Sequence, residues 1–284
     1  MIVALTGASG FVGQAVARKL GEKGWTIRVI NHKNITLPIR DFNEQFIEGT
    51  DVVINLAGAP VSRKWTVEWK EEIYNSRIIT TQKIAEAINS ATIKPSLLIS
   101  ASAVGIYDSI NTHSESSMQF ADSFLSKVCR DWEDEAWKAA PSCRVVIFRM
   151  GVVLGENGGA LEKMQGPFSY GLGGKIGNGR QVMSFIHLTD LVDALIFTIE
   201  NQGMVGVYNA VTPFPVTNSE FTDKLGKILG HPAILTIPSF VLKIIYGEGA
   251  QVLLEGQRVL PERLEKAGFR FRYPTLQNAL TRIY

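Results

Sequence analysis

The stretch MIVALTGASGFVG, residues 1–13, decides the fold. Ile2–Leu5 is a short apolar run of strand type that leads directly into Gly7, Gly10 and Gly13. Helical periodicity follows at once, with Val12, Val16 and Leu20 on one face. A strand that turns abruptly into a helix needs residues without a Cβ. A pyrophosphate lying on such a turn needs bare backbone and the N–H groups of the helix start. The spacing is GxxGxxG rather than GxGxxG, so its force comes from context: strand before, helix after, and a second strand, Thr26–Ile30, ending roughly 20 residues on. The turn predicts a dinucleotide site.

The end of that second strand selects the ligand. Sites for NAD place Asp or Glu there, to hold the ribose 2′-hydroxyl. Here stand Asn31, His32 and Lys33, with no carboxylate. A carboxylate would repel a 2′-phosphate, whereas Lys33 and His32 can pair with one. NADP(H) is therefore expected in preference to NAD. The plain alternative is a solvated polar turn.

Further strands are expected at Val52–Leu56, Leu97–Ser100 and Arg144–Phe148, and helices at Val12–Lys23, Lys70–Asn89 and Phe124–Lys138. Residues 39–48 cover a short second crossover. Apolar strands separated by helices imply an α/β fold, a doubly wound parallel Rossmann sheet. After Gly155 the texture changes, and the glycines of GENGGA and GLGGKIGNGR suggest loops lining a cleft over residues 156–183. Phe185–Glu200 reads as a short strand and an apolar helix, Gly206–Ala210 as a strand, and Ser219–Leu229 as a helix. Residues 1–155, with 184–212 returning to them, are expected to form the NADP-binding domain. Residues 156–183 and 213–284 would form a smaller substrate lobe, in which Lys175, Arg180 and Gln181 lend the cleft cationic and amide character.

Bulk properties exclude several classes. The formal net charge is +2, from interspersed charges without a basic run, which argues against a nucleic-acid partner. Cys129 and Cys143, the two cysteines, have neither metal-ligand spacing nor a disulfide framework, and they suit a reducing cytoplasm. No apolar stretch reaches ~18 residues, so no membrane partner is expected. Ile234–Tyr246 is the most apolar late segment and reads as a partly buried helix, with a membrane or partner surface as the alternative.

Beside the glycine turn stand NLAGA at 55–59, LLISASAVGIY at 97–107, FRMGVVLG at 148–155 and SFIHLTDL at 184–191. Together they resemble the extended, epimerase/dehydratase-like branch of the short-chain dehydrogenases/reductases. NSR at 75–77, KVCRDWE at 127–133, GLGGKIGNGRQ at 171–181 and EGQRVLPERL at 255–264 are similar to its atypical "epimerase family protein" group. The resemblance spans nearly the whole chain.

The resemblance implies a cofactor lined by Thr6, Gly7, Ser9, Gly10, Phe11, Val12, Gly13, Asn31, His32, Lys33, Leu56, Ala57, Gly58, Ser100, Arg149, Met150 and Gly151. It implies Ser102 as the fourth-strand serine that meets the substrate oxygen. The superfamily's Tyr-x-x-x-Lys pair, whose phenol exchanges a proton while hydride moves, has no counterpart here. With Cys129 at the Lys position, Leu125 takes the Tyr position; with Lys127 there, Ser123 does. The usual Asn falls on Arg77. Cys129 is then a buried small residue or a thiolate activated by Arg77 or Arg130, and Arg77 a fixed cation or a helix-surface residue. Tyr107 is an alternative proton donor or a packing residue. Asp108, His113 and Glu115 lie in the loop beyond it, within reach of a substrate. His187 and Asp190 suit a strand–helix junction with Asp or Thr as N-cap. The resemblance also implies pairing of two subunits through the helices at 70–89 and 124–138.

Two functions remain open: an NADP(H)-dependent oxidoreductase or epimerase-like enzyme on a small anionic or sugar-like substrate, and a non-catalytic NADP(H)-binding sensor or scaffold.

Overall fold

The computed structural model describes residues 1–284. Strand β1 (Ile2–Thr6) pairs in parallel with β2 (Thr26–Ile30) on one side and β3 (Val52–Asn55) on the other. Strands β4 (Leu97–Ala103), β5 (Arg144–Met150) and β6 (Gly206–Ala210) extend the sheet in the order β2-β1-β3-β4-β5-β6, every pair parallel. The chain builds leftward from β1 to β2 and then crosses to build rightward. The crevice at the carboxyl ends of β1 and β3 is thus a topological switch point, where ligands bind in sheets of this kind.

The period of two along each strand divides its side chains between two cores. Val3, Leu5, Val52, Ile54, Leu97, Ile99, Val146 and Phe148 face one core, completed by helix α1 (Phe11–Glu22) and the apolar Leu188–Glu200 helix. Ala4, Val53, Leu98, Val145 and Ile147 face the other, beneath α2 (Val67–Ser90) and α3 (Phe124–Trp137). Thr66 and Ser123 cap these two helices, accepting from Trp69 N and Ser126 N. The crossover at 39–48 is one α-turn, Ile39–Phe42, followed by a wider turn, Asn43–Ile47, that buries Phe42 and Ile47.

Residues 156–183 are not all loop. Helix α4 (Gly159–Ser169) forms there despite Gly166 and Pro167, because Leu161 and Phe168 enter a third core with Phe185, Phe221, Leu225, Leu276 and Leu280. That core also takes one face each of α6 (Asn218–Ile228) and α8 (Leu276–Ile283), the Leu188–Glu200 helix being α5. Two short pairings lie within this lobe, 182–183 with 216–217 and 174–176 with 235–237; that of 112–113 with 258–259 joins it to the rest, and 152–154 pairs with 185–187 beside it. Leu264 and Phe269 return to the first core. The segment expected as one partly buried helix is a strand, Leu235–Ile237, and a helix, α7 (Ser239–Tyr246), in which Leu242 alone is buried. No helix is long and apolar enough to cross a membrane.

Candidate active site and cofactor crevice

The glycine turn lays backbone on backbone. Gly7 has φ +70°, and a Cβ there would stand 2.7 Å from Leu56 O; one at Gly13 would stand 2.0 Å from Gly7 O. Thr6 fixes the far wall: its hydroxyl donates to Asn55 Oδ1 (2.7 Å) and accepts from Leu56 N and Ala57 N. Asn55 in turn donates to Thr81 Oγ1, as does the Trp132 indole, so the turn is tied to α2 and α3. Gly10 is the N-cap of α1 and no side chain caps that helix, which leaves its first N–H groups to an external anion. Ser9 and Gly10 are exposed, and Val12 is half-buried. These features fit a dinucleotide pyrophosphate.

Phe11, at the head of α1, explains part of the GENGGA string. A Cβ at Gly158 would stand 2.3 Å from its ring, and at Gly159 2.9 Å. Those glycines receive an aromatic ring. At the end of β2, Asn31 closes a capping box with Asn34, while His32 and Lys33 stay exposed and unpaired by any carboxylate. Met150 and Gly151 lead away from β5; Gly151 lets the chain pass Ser184, whose carbonyl would lie 2.4 Å from a Cβ. Ser100 is fully buried within the sheet, three residues before the end of β4.

Ser102 and Arg149 are register partners on β4 and β5. The Ser102 hydroxyl donates to Glu133 Oε1 at 2.6 Å, and Arg149 grips the same carboxylate through Nε (2.8 Å) and Nη2 (2.7 Å). All three residues are buried. Arg149 therefore lies within the strand, occupied by an acid, rather than following the strand end. Burial works against its charge, but the Glu133 carboxylate holds the guanidinium above its ordinary pKa. Glu133 was not singled out from sequence; its only signal is an acid one turn after Cys129, on the face of α3 that meets the sheet.

Arg149 Nη1 also donates to the Tyr107 hydroxyl (2.8 Å), which donates to Asn209 Oδ1 (2.9 Å). Tyr107 is fully buried and stacks on His113. Burial raises its pKa, against the Arg149 charge. It is a packing residue with its proton engaged. The loop acids are engaged as well: Glu115 accepts from Asn209 N and Arg263 N, and Asp108 accepts from Ile110 N and Asn111 N. None of Asp108, His113 and Glu115 reaches outward as expected.

Cys129 lies beside Ser102 and Arg77, yet burial, with the Glu133 charge adding, pushes its thiol up to about 11. The neutral small residue is the form present. Arg77 donates to Ile73 O (2.9 Å) and Ala59 O (3.0 Å), and its guanidinium lies between Gly58 and the Trp132 ring, 5.2 Å from that ring's centroid. It has no carboxylate partner and clamps the strand-end loop 58–60. Gln181 is bound to Ile176 O and Leu253 O, within the lobe, while Arg180 is exposed. At the 184–191 junction the N-cap is His187, whose Nδ1 accepts from Thr189 N, and not Asp or Thr. Asp190 instead accepts from Arg272 N and Tyr273 N.

A family model described as the NAD dependent epimerase/dehydratase family matches residues 3–210. The chain belongs to this family. A domain of unknown function (DUF1731) matches residues 237–283. The epimerase family protein SDR39U1 homolog, chloroplastic, of Arabidopsis thaliana is 40% identical over 301 residues, covering 100% of this chain and 86% of the plant protein. The mouse (Mus musculus) epimerase family protein SDR39U1 is 37% identical over 290 residues, covering 99% and 98%. Among solved structures, human epimerase family protein SDR39U1 (isoform2), crystallised with NADPH, is similar at TM-score 0.92 and 33% identity, covering 100% of this chain and 99% of that one. The UDP-glucose 4-epimerase of Thermus thermophilus shares the fold at TM-score 0.78 and 18% identity, covering 100% and 99%. Neither Leu125 with Cys129 nor Ser123 with Lys127 supplies a Tyr-Lys pair, and the chain is an atypical extended member of the family.

Proposed function

We propose that this chain binds NADP(H) and acts as an oxidoreductase or epimerase-like enzyme on a small substrate. The observation that carries the reading is the glycine turn packed on the Leu56 carbonyl at the sheet's switch point, with α1 left without a side-chain cap. In this reading Gly7, Ser9, Gly10, Phe11, Val12 and Gly13 hold the pyrophosphate. Lys33, with His32 and the turn fixed by Asn31, meets the 2′-phosphate. Leu56, Ala57 and Gly58 form one wall, and Met150 and Gly151 the approach to the nicotinamide; Ser100, wholly buried, is withdrawn from it. The NADPH in the crystal structure of the human relative supports the choice of cofactor. Residues 1–155 and 184–212 would carry the cofactor, and 156–183 with 213–284 the substrate. The two free thiols suit a reducing compartment such as the cytoplasm.

When bound, the nicotinamide supplies or accepts hydride. The protein's part falls to Ser102. Its proton is committed to Glu133, so Oγ offers lone pairs and accepts from a substrate hydroxyl. A proton leaving that hydroxyl passes to Oγ as the serine proton passes to Glu133 Oε1. Arg149 positions Glu133 for this exchange.

The same network favours a second reading, a non-catalytic NADP(H) sensor or scaffold, because Ser102, Tyr107 and Cys129 all have their protons held inside the protein. Calorimetric titration with NADPH and NADH tests the cofactor: NADPH should bind more tightly, and equal affinities would refute that choice. Bound NADPH that no carbonyl compound of a broad panel oxidises would decide for the sensor.

A further inference from the structure

The C-terminal lobe carries an apolar face that the cofactor crevice does not use. Tyr170 (83% exposed), Leu172 (61%), Ile234 (83%), Phe240 (63%) and Ile244 (72%) stand open to solvent, with Leu235 and Ile245 beside them. The two segments that bear them are neighbours, because residues 174–176 pair with 235–237 and Gly177 N donates to Ile237 O. Exposed apolar side chains gathered on two neighbouring segments of a folded chain mark a surface that something covers.

The charge on the segments that bear it indicates what. Residues 163–189 and 227–247 hold Lys163, Lys175, Arg180, Lys227 and Lys243, and not one Asp or Glu. None of these cations takes part in an ion pair. Lys64 joins them at the end of α7, where it approaches Gly247. Glu248, the first acid beyond α7, is already bound to Lys70. An apolar face borne by two segments that carry cations and no acid of their own is complementary to a layer of anionic headgroups over hydrocarbon.

We propose that this face docks on the surface of an anionic lipid bilayer. Phe240, Ile244 and Ile245 project from a short helix and enter the interface. Lys243, between them in sequence, keeps its ammonium at headgroup level on its own four-carbon stem. Such side chains need depth, not a shaped counterpart, and nothing crosses the bilayer. Trp65 N donates to Tyr246 O, so the docked helix is joined to the 58–66 loop at the crevice wall. Docking therefore acts on a rim of the crevice, although the proposal stands whatever the cofactor is.

Flotation of the full chain with vesicles tests it. Phosphatidylcholine vesicles containing phosphatidylglycerol should recover about tenfold more protein at low ionic strength than phosphatidylcholine alone, and added salt should abolish the difference. Phe240→Ser with Ile244→Ser should lower recovery at least about tenfold. Lys243→Glu should weaken it on anionic vesicles only. Both substitutions alter exposed side chains, so unchanged thermal melts certify the fold. Three results would overturn the proposal: equal recovery on both vesicle types, binding that survives the double substitution, or a dimer seen by light scattering that the double substitution dissolves. The last would assign the face to a second copy of this chain.

Discussion

Glu133 and Arg149 form a two-pronged ion pair in the interior, joining α3 to β5, and Ser102 hangs from the same carboxylate. A buried pair of this kind adds little over an apolar filling, but removing one partner strands the other charge. Glu133→Gln should therefore cost about 3–5 kcal/mol in denaturant unfolding. Adding Arg149→Met should recover part of the loss, since no unpaired charge then remains. A double variant as unstable as the sum of the singles would mean the pair is not coupled as described.

A pH dependence follows from His187. Burial, with the Arg282 charge adding, lowers its pKa to about 4. The unfolded chain binds its proton near the ordinary value of about 6.5, so across that interval the unfolded state carries more protons than the folded one. Stability should rise with pH through the window and fall as pH drops from about 6.5 towards 4. The depression is worth on the order of 3 kcal/mol at most. His187→Asn keeps an acceptor for Thr189 N and removes the titration. Its denaturant midpoint should be the flatter of the two over this range; equal slopes would put the titration elsewhere.

The sheet was legible because its strands are apolar on both faces and bounded by breakers, and the switch point followed from the glycine turn. The ends of β4 and β5 were less so. Ser102, Ala103, Arg149 and Met150 look like loop residues; Ser102 and Ala103 are strand because they pair with Arg149 and Met150, which pair in turn with Asn209 and Ala210. Helix α4 was hidden by glycines that serve Phe11 and by Pro167. Glu133 escaped because its partner lies on another element, and a strand arginine gives no sign of the acid it will meet. Asp108, His113 and Glu115 misled for the converse reason: a polar loop after a strand tip resembles a substrate rim until backbone N–H groups are found on both acids and Tyr107 is found stacked on the buried imidazole.

The glycines differ in what they can bear. Gly13→Ala would press a methyl against Gly7 O, and Gly7→Ala would combine a strained φ with contact on Leu56 O. Both should unseat α1 from the turn, lowering the melting temperature and abolishing NADPH fluorescence enhancement. Gly21→Ala, in the same helix with nothing within 4 Å, should stabilise by about 0.4–1 kcal/mol. If Gly13→Ala melted and bound like the parent, the packing described for the turn would be wrong.

Thiol chemistry separates the readings of Cys129. With both cysteines pushed up to about 11, neither should react quickly with a disulfide reagent at neutral pH. Half-buried Cys143 should react first, and Cys129 only after unfolding. Cys129→Ala should cost about 1 kcal/mol and leave cofactor binding intact. Fast labelling of Cys129 in the folded protein would reinstate the thiolate.

Lys33 carries the cofactor preference. It stands exposed at the end of β2, in a turn that the Asn31 capping box holds rigid, with no acid to compete for it. A charge-assisted bond to a 2′-phosphate at an exposed site lies near the low end of about 1.5–3 kcal/mol. Lys33→Ala should thus weaken NADPH about tenfold. NADH lacks that phosphate and should be unaffected. Lys33→Glu should go further and reverse the order, because the new carboxylate repels the phosphate and can accept from the 2′-hydroxyl. Parallel losses for both cofactors would instead place Lys33 in the stability of the turn.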